Sequence, residues 1–403
     1  FLDRAVRLLP KDEPERRWRA LLARDEVLGT LGEMEARFAD DEALVALARE
    51  LKDDDKLAAA YQHQGYSLGI VGQYQEQLEA YQMALEASRR AGNRRVEAML
   101  LGLEVEGLTR LGREKRAGRV AEEALALAQE IGDENVLVRN LTNASLFFSE
   151  YGDIGRAVQL LEQQVAINRR HANLQYEAVG LINLGYRYVQ LGMNARAIDV
   201  LTRGVELALG IGHRQHSAYG RLNLALAHLR NGEPDRAYGE LEASIPELEA
   251  LQDRFGQAAG QSYLALVKEA CGEHEDALGC FADAQATLTE IGVQGCANDA
   301  TAGMVRCLLA LGRVEEARKE VDSLWEHLTD RGTGGMEFPA LAFLACADLF
   351  AAYGDLGRSR AAVETGYREL LDRADRIGDP AWRSSFLEKV PEHRAIVVRW
   401  KGE

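Results

Sequence analysis

The chain has 403 residues, 47% of them apolar, only 7 prolines and a formal net charge of −16. The apolar share is ample for a folded core and excludes a disordered chain, while the acidic balance repels phosphate and argues against direct binding of nucleic acid. No apolar run is long enough to span a membrane, and the dominance of alanine, leucine, glutamate and arginine is the vocabulary of long helices.

The first residues, Phe1-Leu2-Asp3-Arg4-Ala5-Val6-Arg7, lack the basic, apolar and small regions of a signal peptide. Residues 1–13, with Val6, Leu8 and Leu9, read as the tail of a preceding second helix or an N-terminal cap. The chain therefore starts inside a repeat, as expected of a fragment of a longer protein. From residue 14 to 378 a single period governs the sequence. Glycines stand at Gly32, Gly72, Gly112, Gly152, Gly192, Gly232, Gly272 and Gly312, each 40 residues from the last, and Gly354 follows 42 residues on. A second series runs 20 residues behind, at Gly92, Gly132, Gly212, Gly292 and Gly332, with Ala172 and Gln252 in the two missing slots. Helices commonly stop where a residue turns left-handed, which glycine does without steric cost, so each period predicts two helices. Between the glycines the apolar step is helical, as in Ala157, Leu161 and Val165. The segment 379–403 is expected to be a final capping helix over Pro380–Trp400, since a solenoid must cover the apolar face of its last repeat.

Small residues recur five positions after the central glycine, at Ala117, Ala157, Ala197, Ala237, Ala277 and Ala317, and seven before it, at Gly65, Ser145, Gly185, Ala225, Ala265 and Ala347. Large ones such as Tyr81, Leu161, Leu201, Leu241 and Phe281 stand nine after. Small positions let two helices approach and large ones fill the layer beside them. The pattern, clearest in Leu184-Gly185-Tyr186 … Leu191-Gly192 … Ala197, resembles the tetratricopeptide repeat across nearly the whole chain. The usual repeat is ~34 residues and HEAT or armadillo repeats are ~40–47, but the packing pattern and the scarcity of proline favour the tetratricopeptide reading. The resemblance implies an all-α, right-handed superhelical solenoid of about nine repeats. Its long period is similar to that of the sensor regions of bacterial signal-transduction ATPases of the STAND class and of LuxR-type or cyclase-linked regulators, as is the stretch Asp379-Pro380-Ala381-Trp382 through Arg394.

No chemistry stands out. There is no Walker A string and no G-x-S-x-G elbow, so an ATPase core would have to lie upstream. Arg331-Gly332-Thr333-Gly334-Gly335 is a glycine-rich inter-repeat loop that follows no strand, and His213-x-x-His216 has metal-like spacing but no third ligand nearby. Cys271, Cys280, Cys296, Cys307 and Cys346 are odd in number and form no C-x-x-C pair, which fits small buried side chains in a reducing, cytoplasmic compartment. No catalytic residue, metal site or cofactor is expected.

The resemblance implies that the first helix of each repeat lines a groove, with inner slots six, nine, ten and thirteen residues before the central glycine. Those slots hold Gln62, Tyr66, Arg139, Asn143, Asn183, Tyr186, Tyr219 and Asn223, with Tyr263 and Arg306 continuing the register. Family members use asparagine nine before the glycine to hydrogen-bond a bound peptide backbone; the same residue can instead bridge neighbouring helices. No lysine falls in these slots, so the cationic clamp of chaperone-type relatives is not matched. The expected partner is a protein or peptide, or a small-molecule effector, and the expected role is the sensor and oligomerisation region of a larger bacterial regulator. The alternative is a free-standing adaptor.

Overall fold

A computed structural model describes the chain apart from residues 1–3, 5, 7, 11, 32 and 403. Gly32 and part of the 1–13 segment thus lie outside the described residues. The chain divides into two compact units, Phe1–Tyr151 and Gly152–Glu403. Among the described residues there is no strand.

The first unit holds α1 (Pro14–Leu31), α2 (Met34–Leu51), α3 (Asp54–Ile70), α4 (Tyr74–Ala91), α5 (Arg94–Arg110), α6 (Glu114–Ile131) and α7 (Glu134–Glu150). The second holds α8 (Ile154–Arg170), α9 (Leu174–Gln190), α10 (Asn194–Gly210), α11 (Arg214–Arg230), α12 (Pro234–Ala250), α13 (Arg254–Ala270), α14 (His274–Glu290), α15 (Gln294–Ala310), α16 (Val314–Asp330), α17 (Pro339–Ala352), α18 (Leu356–Asp375), α19 (Pro380–Glu388) and α20 (Pro391–Gly402). Two helices of 17 residues and two three-residue turns fill the 40-residue period, as in α9 and α10. The extra length over the usual repeat therefore lies in the helices.

Most of the turns close in the same way. At Gly192 (φ 72°) the Met193 N–H donates to the Tyr188 carbonyl at 2.8 Å, and the Gly192 N–H to Val189 at 3.0 Å. This pair of hydrogen bonds satisfies carbonyls that the helix end leaves orphaned. Ala172 (φ 52°) and Gln252 (φ 55°) take the same left-handed conformation in the slots where the glycine series lapses, and Lys52 (φ 51°) does so one slot before Gly92. Aspartates after the turns cap the next helix: Asp153 accepts from the Arg156 N–H at 2.9 Å and Asp253 from Gly256 at 2.9 Å.

The small-on-large packing is also explicit. A Cβ placed on Gly185 would lie 2.4 Å from Leu201 Cγ, and one on Gly65 would lie 2.5 Å from the Tyr81 ring. Ala117, Ala157, Ala197, Ala237, Ala277 and Ala317 are all fully buried.

The second unit closes on itself. One continuous apolar core runs from Ile154 to Ile396. Trp382 and Ile377 lie against Gly155 of α8, Lys389 and Ser385 lie against the turn at Gly192, and Arg230 at the end of α11 pairs with Glu392 of α20. The C-terminal segment forms two helices where one was expected, because Pro391 disfavours helical backbone at the residue before it. Trp400 stacks on Tyr367 of α18 with ring centres 5.3 Å apart, covering the last repeat, whereas Trp382 serves the closure. Among the described residues no helix is long and apolar enough to cross a membrane.

Candidate functional site

The expected inner slots fall on first helices in both units, and their side chains differ in how far they are committed. In the first unit Gln62 on α3 is half-buried, and Tyr66 is exposed with the Arg37 guanidinium 5.2 Å above its ring. Arg139 on α7 is exposed. Asn143, four residues on, donates to the Gly102 carbonyl of α5 at 2.9 Å, so its amide bridges helices. Asn140, outside the expected slots, is buried and donates to the carbonyls of Ala98 and Ala124 at 2.9 and 3.0 Å.

In the second unit Asn183 and Tyr186 stand on α9 and Tyr219 and Asn223 on α11, two first helices that pack together. Tyr219 donates to Asp253 at 2.9 Å and so ties α11 to the cap of α13. Asn183 and Asn223 are half-buried, and among the described residues neither side-chain amide has a hydrogen-bond partner. Asn183 and Tyr186, three residues apart, share one helix face.

Tyr186 meets a partner that sequence reasoning missed. Its hydroxyl donates to Glu337 Oε1 at 2.7 Å, and the hydroxyl of Tyr263 on α13 donates to the same oxygen at 2.5 Å. Glu337 belongs to the loop 331–338 between α16 and α17, so the glycine-rich stretch lies across the inner slots of earlier repeats. Its backbone is seated on α15. Asp299 accepts from the Glu337 N–H at 2.6 Å and from the Phe338 N–H at 3.1 Å, capping α17 from another helix. Gly335 presses on Gly295, where a Cβ would stand 2.2 Å from the Gly335 carbonyl carbon. Phe338 lies against Tyr263, with ring centres 6.3 Å apart, and under the Arg230 guanidinium at 5.4 Å. Asp299 occupies a thirteen-before slot, which was a signal for it. Glu337 lies outside the repeat register, and no spacing pointed to it.

Burial dominates the electrostatics here. It pushes the Asp299 carboxyl up to about 8, against the two N–H bonds, with Glu337 adding repulsion. Glu337 is also raised by burial, although both tyrosine hydroxyls, Arg230 and Arg187 favour its charge. Tyr186 and Tyr263 are raised far above the usual phenol value by burial and by Glu337, so both stay protonated donors. Nearby, Arg306 binds Glu269 through two bonds of 2.8 and 2.7 Å.

The remaining sequence candidates stay apart from this cluster. The Nδ1 atoms of His213 and His216 lie 2.9 Å from each other, and burial followed by His213 lowers the His216 pKa. Among the described residues no group of three or more His, Cys, Asp or Glu side chains could hold a metal ion. All five cysteines are free: Cys307 and Cys346 are buried, Cys280 and Cys296 half-buried, and Cys271 exposed.

No protein-family model matches the chain, and no curated protein matches it. Solved structures do. The apo form of the quorum sensor NprR from B. thuringiensis is 14% identical with a TM-score of 0.61, covering 81% of this chain and 90% of its own. The apo form of RapI is 13% identical with a TM-score of 0.56, covering 68% and 99%. NprR in complex with its cognate peptide NprX is 14% identical with a TM-score of 0.53, covering 85% and 99%. The fold is a tetratricopeptide-like repeat solenoid. Within that tetratricopeptide-like frame, the uncommitted polar groups of the second unit stand on first helices, and the loop 331–338 lies over the same helices.

Proposed function

We propose that the chain is a receptor for a peptide or an extended protein segment, held on the inner slots of the repeats, and that it is the sensor and oligomerisation region of a larger bacterial signal-transduction ATPase or transcription regulator. The observation that carries this is the pair Asn183 and Asn223, one repeat apart, each with an amide that has no partner. An amide side chain offers both a donor and an acceptor, which is what a peptide backbone needs. Neighbouring helices pack at about 8–10 Å, and an extended peptide advances ~3.3 Å per residue. Two asparagines on adjacent first helices can thus meet backbone groups about three residues apart. That a quorum sensor of this fold is known with its cognate peptide supports the reading, as does a Rap protein complexed with Competence and Sporulation Factor. Five free thiols support a reducing compartment.

Selection of binders from a random-peptide display library tests the proposal. The expected result is peptides whose affinity falls about tenfold or more in the Asn183→Ala/Asn223→Ala variant, a loss of about 1.4 kcal/mol, with the thermal melt unchanged. Light-scattering mass should rise when such a peptide is added. A selection without binders, or binders indifferent to both substitutions, overturns the reading.

A further inference from the structure

The inner face of the second unit already holds a segment of chain, and how it is held indicates what the face selects. We propose that Tyr186 and Tyr263 form a reader for an acidic side chain in the bound peptide, and that Glu337 on the loop 331–338 occupies that reader as an internal stand-in until an acidic peptide displaces it. This rests on the peptide-binding reading above and adds the chemistry of the ligand.

Three observations converge. Two hydroxyls from helices 77 residues apart in sequence donate to one carboxylate oxygen, at 2.7 and 2.5 Å. Donors this enclosed cost free energy when unpaired, so the face demands an acceptor whenever Glu337 leaves. Next, the loop contains Gly332, Gly334 and Gly335, forms no helix or strand, and is seated through Asp299 and the Gly295–Gly335 contact. Last, the free amide of Asn183 shares a helix face with Tyr186, which places a backbone-binding group beside the carboxylate reader. A carboxylate accepts from two hydroxyls at once more strongly than a neutral amide does, because charge-assisted bonds are roughly twice as strong.

The test uses a probe copied from the loop: a fluorescent octapeptide Arg-Gly-Thr-Gly-Gly-Met-Glu-Phe, acetylated and amidated so that its glutamate carries its only carboxylate, and the same peptide with glutamine. Two variants of the full chain vacate the reader independently. Glu337→Ala removes the stand-in, and Gly295→Ala pushes the loop backbone off its seat. The expected result is that both variants bind the glutamate peptide at least tenfold more tightly than the unaltered chain. The glutamine peptide should bind at least tenfold more weakly, and Tyr186→Phe/Tyr263→Phe added to Glu337→Ala should abolish the difference. Both single variants must melt cooperatively, and either one alone can carry the result. Equal binding of the glutamate and glutamine peptides, or no gain in either folded variant, overturns the inference. If display still returns peptides that depend on Asn183 and Asn223 but show no acidic preference, the receptor reading stands and this inference falls. If no peptide binds any variant, both fall.

Discussion

Lys52, Ala172 and Gln252 hold left-handed backbone in turns where the other repeats place glycine. For a residue with a Cβ that conformation costs about 1–2 kcal/mol. Replacing it by glycine removes the strain but adds unfolded-state entropy of about 0.4–1 kcal/mol. Ala172→Gly and Gln252→Gly are therefore each expected to stabilise the chain by about 0.5–1 kcal/mol, read as a shift of the denaturant midpoint without change of slope. A loss of stability in both would show that these turns are not strained. Glycine inside the helices has the opposite role. At Gly185 the space for a Cβ is filled by Leu201, so Gly185→Ala is expected to cost about 1–3 kcal/mol despite the better helix propensity of alanine. A neutral result in the same denaturation experiment would remove the packing account of the small-residue slots. These positions were legible in the sequence because a left-handed turn and a close helix crossing each admit few residue types. The asparagines were legible only as a register. Asn143 reaches the carbonyl of Gly102, where no side chain intervenes, whereas the equivalent slot 41 residues before Asn223 holds Ile182 rather than glycine. Which amide bridges and which stays free depends on the neighbouring helix.

At the scale of elements, α1, α2 and α3 are joined by buried charges. Asp25 accepts from Arg37 at 3.0 Å and lies 2.7 Å from His63 Nδ1. Burial opposes its charge, but these hydrogen bonds keep its carboxyl below the ordinary range. Asp41 is fully buried, and neither of its oxygens has a partner. The Ser67 hydroxyl, which donates to the His63 carbonyl at 3.2 Å, is the group able to turn to it. Burial, with Asp25 adding repulsion, pushes Asp41 up to about 6, while Ser67, Arg37 and His63 pull it down. A carboxyl raised in the folded state contributes stability that is fully present below its unfolded value, near pH 4, and lost as pH rises through about 6. Asp25 acts in the opposite sense, its contribution being lost as pH falls. Asp41→Asn is thus expected to stabilise the first unit at pH 8 by about 2–3 kcal/mol and to change little at pH 4. Melts across that range check it, and a pH-independent difference between variant and parent would remove Asp41 as the cause. Nothing in the sequence separated these aspartates from the 64 acidic residues of the chain, because only the packing of three helices takes them out of water.

At the scale of the whole molecule, sequence and structure part over the closure of the second unit. In a solenoid each repeat touches its neighbours, and how soon the chain meets itself depends on small rotations that accumulate from repeat to repeat. No local pattern encodes that sum, so the approach of α19 and α20 to α8, α9 and α11 was not legible, although every helix was. The pair Arg230–Glu392 spans 162 residues, with side chains only 10% and 6% exposed, and Arg230 also donates to the Val189 carbonyl at 3.2 Å. Removing one partner leaves the other charge enclosed and uncompensated, at a cost of about 3–5 kcal/mol, whereas replacing both by apolar residues is often near neutral. Glu392→Leu alone is therefore expected to lower the melting temperature and to expose α19 and α20 to limited proteolysis, and Arg230→Leu/Glu392→Leu to recover most of the loss. The coupling in that double-mutant cycle separates a closure held by the ion pair from one held by the apolar contacts of Trp382 and Ile377. Additive single losses would assign the closure to the apolar contacts, and Trp382→Ala would then release α19 while leaving the Arg230–Glu392 pair in place.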